Sequence, residues 1–161
     1  MSQLPSLAQR LQEVLLDGRW IANTNWKEQI QDLTWTQAIQ SVESLNSIAL
    51  LTFHLTYYLK GVIPALQGGP LEIRDTYSFD LPPIEKEADW VALKADFFAQ
   101  ASAFVATVSQ LDEALLPQDF VNAKYGSYQR NLEAMIEHAY YHLGQVVLIR
   151  KMILRREGND S

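Results

Sequence analysis

A chain of 161 residues, 48% hydrophobic and 20% charged, is long enough to bury a core without disulfides and too apolar to stay disordered. Its formal net charge of −6, with basic pairs only at Arg150-Lys151 and Arg155-Arg156, favours a helix C-terminus over a phosphate track and argues against nucleic-acid binding. With no cysteine, a transition-metal site has to be built from imidazole and oxygen, and the composition fits the cytoplasm. Met1-Ser2-Gln3-Leu4-Pro5 lacks the basic flank and apolar run of a signal peptide, and the apolar run Ile48 to Leu59 is too short for a bilayer, so no membrane role is expected.

Leu4, Leu7, Ala8, Leu11, Val14 and Leu15 recur at helical spacing and Gly18 follows them, which predicts a first helix over about residues 3–17. Arg19 to Leu33 has no clean period, yet Trp20 and Trp26 make it an ordered connection rather than a floppy one. Thr34 and Gln37 have the spacing of a capping box. A long second helix is predicted from there, through Trp35, Ala38, Ile39, Val42, Leu45 and Ala49, until Gly61, Pro64 and Gly68-Gly69-Pro70 stop it.

Residues 71–86, with Pro82 and Pro83 and no period, predict a long connection, and connections of that length often wall a pocket. A third helix is predicted from Ala88 to Leu115, ended by Pro117. A fourth follows the Tyr125-Gly126-Ser127 turn and runs to Ile153. Four long helices joined by irregular, long crossover connections predict an all-α four-helix bundle, a single domain over residues 1–161.

All three histidines lie in apolar helical stretches. His138 and His142, four residues apart, share one helix face, and His54 on the second helix is placed to complete a three-nitrogen site. Ser47, Tyr57 and Tyr58 share the side of His54, and Tyr141 and Gln145 share that of His138 and His142, so these five are candidate pocket residues. Three neutral imidazoles and an open position suit a catalytic Zn or Ni ion, whereas isolated histidines on apolar helices are commonly core residues. Ala139 follows the first histidine of the pair, so the general base of an H-E-x-x-H peptidase is missing. Glu133 and Glu137 lie off the histidine face, and no phosphate loop, nucleophile motif or di-iron carboxylate set is present.

Asn46-Ser47-Ile48-Ala49-Leu50-Leu51-Thr52-Phe53-His54-Leu55, followed by His138-Ala139-Tyr140-Tyr141-His142-Leu143-Gly144-Gln145, resembles the DinB-like superfamily of putative metalloenzymes, over essentially the whole chain. The resemblance implies a four-helix bundle holding a divalent metal, often nickel or zinc, on His54, His138 and His142. Related members include thiol-dependent S-transferases and a maleylpyruvate isomerase that use bacillithiol or mycothiol. The expected activity is therefore metal-dependent activation of a low-molecular-weight thiol, or of water, for transfer to or hydrolysis of a small electrophile. The alternative is a non-catalytic, metal-stabilised stress protein or interaction bundle. Pairing into a homodimer, through the tryptophan-bearing connection or residues 71–86, is a further expectation.

Overall fold

The computed structural model describes residues 3–159. Among them the chain is all-α, with six α-helices and no strand beyond an isolated bridge between Asp119 and Ser127. Helix α1 (Leu4–Gln12) runs on into a π turn, Glu13–Asp17, and Leu11, Val14 and Leu15 are fully buried along it. The other helices are α2 (Trp26–Ile30), α3 (Trp35–Ala38), α4 (Ile48–Leu66), α5 (Glu87–Ser109) and α6 (Tyr128–Asn159).

The connection after α1 contains a helix that aperiodicity concealed. Asn25, itself fully buried, caps α2 by accepting from the Glu28 amide and donates to the Gly18 carbonyl. Trp26 is buried against Phe97 and donates its indole N–H to the Ala139 carbonyl at 2.9 Å. Arg150 grips Asp32 with both terminal nitrogens, at 2.6 and 2.9 Å, and also donates to the Gln29 carbonyl. These bonds tie the connection to α6, while Trp20 at its start is 82% exposed.

The long helix expected from Thr34 is two helices. The capping box between Thr34 and Gln37 forms, but it opens only the single turn of α3. The chain then leaves helical geometry, and Glu43 takes a left-handed φ of 52°. Ser47 starts α4 afresh by accepting from the Leu50 amide. The buried positions Ala38 and Val42 mimic one helical stripe because both sides of the break face the same core.

Gly61 and Pro64 do not stop α4. The helix runs to Leu66 and ends in a Schellman motif, with Gly69 donating to the Pro64 carbonyl, Gly68 to Ala65, and Gly68 at φ 85°. The apolar run judged too short for a bilayer thus belongs to a helix of 19 residues; α4 and α5 both reach membrane-spanning length and apolarity, and α4 is mostly enclosed by the chain itself. Helix α5 ends at Ser109 rather than Leu115, with a short turn of 3-10 helix at Glu113–Leu115 beyond it. Helix α6 starts at the expected cap, Ser127, which accepts from the Arg130 amide, and extends past Ile153 to Asn159.

The role of Gly61 is contact. A Cβ at that position would lie 1.8 Å from Cγ2 of Ile73, so the glycine admits residues 71–75 against the helix. An alanine in a free helix interior is worth about 1 kcal/mol over glycine. Here Gly61→Ala is expected to destabilise instead, by about 1–3 kcal/mol, because the stiff Ile73 side chain has to move. Urea unfolding checks the sign, and adding Ile73→Ala should recover most of the loss; a more stable Gly61→Ala protein would contradict the contact.

Candidate metal centre

The three histidines converge from two helices. His54 comes from the middle of α4, and His138 and His142 from successive turns of α6. One ligand nitrogen from each lies within 4.8 Å of the others, the only such cluster of His, Cys, Asp or Glu among the described residues. His54 and His142 are buried, at 6% and 7% exposure, and His138 is half-buried. The ring centroids are 4.7–5.0 Å apart and their planes are steeply inclined, so edges rather than faces meet at the centre.

Hydrogen bonds orient two of the rings. The Nδ1 of His54 faces the Ser78 carbonyl at 3.3 Å, and Nδ1 of His142 faces Oε1 of Gln145 at 2.6 Å. A carbonyl oxygen only accepts, so each Nδ1 carries the proton and each Nε2 keeps its lone pair. The Nε2 atoms of His54 and His138 stand 3.0 Å apart. Because the His54 nitrogen is the acceptor there, His138 donates its Nε2 proton, and ligation requires that proton to shift to Nδ1.

Burial chiefly sets the charge state. Desolvation lowers the pKa of all three histidines, and repulsion from His142 adds to it at His54. At His138, desolvation and then the other two rings bring the value down to about 4. The Gln145 bond works the other way at His142 without reversing the direction. A transition metal needs neutral imidazoles with inward lone pairs; His54 and His142 present them, and His138 does so after its proton shifts to Nδ1. At a metal–nitrogen bond of about 2.0–2.1 Å, neighbouring ligand nitrogens sit roughly 2.9–3.4 Å apart, and the His54–His138 pair already has that spacing. The donor set fits a divalent ion of the Zn, Ni or Cu type and gives no geometric choice among them.

Aromatic rings enclose the cluster. Phe79 stacks on His54 with centroids 4.1 Å apart, and Tyr58 meets the edges of His54 and His138 at 5.1 and 5.2 Å. Tyr141, 66% exposed, lies edge-on to His142 at 4.9 Å. The Tyr58 hydroxyl donates to Asp75 at 2.7 Å; burial first, and then that carboxylate, push its pKa up to about 12, so it stays protonated. Beside the histidines a cleft of about 550 Å³ is lined by Tyr58, Arg74, Asp75, Asn131, Met135 and His138 among others.

The sequence-derived pocket residues separate into three groups. Tyr58, Tyr141 and Gln145 touch the histidine rings directly. Tyr57 holds the backbone of Arg74 instead. Ser47 spends its hydroxyl on capping α4. Asp75, Ser78 and Phe79 are contacts of the site that sequence reasoning did not single out; the only signal for them was the length of the connection that carries them. Glu137 is paired with Arg130 at 3.1 Å, and Glu133 accepts from Gln129, so both off-face carboxylates are engaged elsewhere. Comparison of the chain with protein-family models, curated proteins and solved structures finds no match.

Two outcomes follow from this geometry. A histidine whose pKa is lower folded than unfolded takes up its proton more readily in the unfolded chain. Stability of the metal-free protein should therefore be full above pH 6.5 and fall on acidification, for His138 until about pH 4. Urea midpoints measured across that range check it, and a flat profile would contradict the lowered values. Replacing the Nδ1 acceptor, Gln145→Leu, should weaken metal binding roughly 10–100-fold in a competition titration while the helical signal is retained.

Proposed function

We propose that the chain is a DinB-like metalloenzyme, a four-helix bundle of α1 with its π turn, α4, α5 and α6, that transfers a low-molecular-weight thiol to a small electrophile. The observation that carries the reading is the convergence of three neutral imidazoles, one of which, His138, lines an open cleft. His54, His138 and His142 would hold a divalent ion, which would supply Lewis acidity able to lower the pKa of a thiol or water there.

The chain's own groups favour the thiol over water as nucleophile. Asp75 is the one carboxylate lining the cleft, and it is engaged by the Tyr58 hydroxyl. Tyr58 holds its own proton and is a donor rather than a base. A thiol whose pKa has been lowered attacks as the thiolate and needs no general base, whereas water chemistry gains most from one. The residues around the cluster then orient and enclose. The Ser78 carbonyl and the Gln145 amide fix the two rings, and Phe79 covers the outer face of His54.

Zinc- or nickel-loaded protein, assayed with bacillithiol and other small thiols against a chlorinated aromatic electrophile, should give thiol-dependent conjugation. The His142→Ala protein, checked for retained helicity, should lose both metal and turnover. Equal conjugation by the metal-free variant would contradict the proposal.

A further inference from the structure

Residues 73–79 are fastened to α4 and the histidines at successive points. Ile73 seats against Gly61. The single hydroxyl of Tyr57 donates to the Arg74 carbonyl at 3.0 Å and accepts from the Arg74 amide at 2.8 Å, so both backbone polar groups of Arg74 are held by one side chain. Tyr58 then holds the Asp75 carboxylate, and Ser78 and Phe79 complete the series on His54. The backbone of Arg74 is therefore held on both its N–H and its carbonyl.

The Arg74 side chain, by contrast, has no ion pair and no hydrogen bond among the described residues. It lines the cleft beside His138, in a protein that carries 19 acidic against 13 basic residues. Its sequence neighbour, Asp75, is occupied by Tyr58 instead. The same cleft presents an apolar wall of Val62, Leu71, Ile73, Phe120 and Met135. An unpaired arginine whose backbone is fixed in a cleft with an apolar wall is complementary to a carboxylate on an apolar body, because the fork of N–H donors matches the two carboxylate oxygens.

We infer that the cleft takes a small organic carboxylate whose apolar body lies on Val62, Ile73 and Met135 and whose anionic group is held by Arg74. This deepens the proposed activity by naming the class of ligand. It rests on that activity only for placing the reactive end of the ligand at His138. Tyr57 is a positioning residue, acting on the ligand through the Arg74 backbone.

Binding of phenylacetate and of its neutral analogue phenylacetamide is compared by calorimetry on metal-free full-length protein, where a carboxylate has no ion to ligate. The acid should bind roughly tenfold more tightly than the amide. That preference should vanish in Arg74→Gln and shrink in Tyr57→Phe, with far-ultraviolet circular dichroism unchanged in both. Equal binding of acid and amide, no binding of the acid, or an acid preference that survives Arg74→Gln would overturn the inference. Loss of the thiol-transfer reading leaves the result on metal-free protein standing. Metal-dependent turnover without an acid preference would remove only the carboxylate site.

Discussion

Three imidazoles sharing one partly desolvated centre cannot all be protonated, and that constraint organises the rest of the molecule. Burial and mutual repulsion hold them neutral, most strongly at His138. A neutral imidazole has one donor and one acceptor nitrogen, so the ring that faces an outer carbonyl turns its lone pair inward. Ser78 and Gln145 impose that choice on His54 and His142. Two of the three rings thus aim lone pairs at one point and are backed by second contacts, as ligand histidines require, while His138 joins them once its Nε2 proton moves to Nδ1.

The connection between α4 and α5 supplies the contact on His54, and α6 itself supplies Gln145. Consecutive tyrosines, one turn beyond His54 on α4, reach Arg74 and Asp75, while Gly61 lets Ile73 approach the helix. Of these, Tyr58, Ile73, Arg74 and Asp75 line the cleft that opens beside His138. Site and cleft therefore share α4: Gly61 meets Ile73 and Tyr57 holds Arg74 on the same helix that carries His54. The other side of the centre is fixed by α6, which Trp26 anchors through the Ala139 carbonyl, between the two histidines of that helix.

The parts legible in the sequence are those with local signatures. The i, i+4 spacing of His138 and His142, the Thr34 capping box and the Ser127 cap each need only a few neighbouring residues, and each forms. What the sequence concealed depends on tertiary context. Ala38, Val42 and Ala49 are all buried, so their spacing reads as one helix although α3 ends at Ala38 and α4 starts only at Ile48. Gly61 read as a stop because the contact that requires it, Ile73, is remote in sequence. Ser78 and Phe79 meet His54 from a segment with no period, where neither a backbone carbonyl acceptor nor a stacked ring leaves a mark in composition. Ser47, on the helix side of His54, turned out to be the start signal of α4 itself.

The most direct test of the metal centre is X-ray absorption at the metal edge, on protein loaded with one equivalent of zinc or nickel. Three imidazole nitrogens, at about 2.0–2.1 Å for zinc, with the shell dismantled in the His54→Ala and His142→Ala proteins, is the expected result. A shell of solvent oxygens, or one unchanged by those substitutions, would contradict the centre and leave the three histidines as core residues.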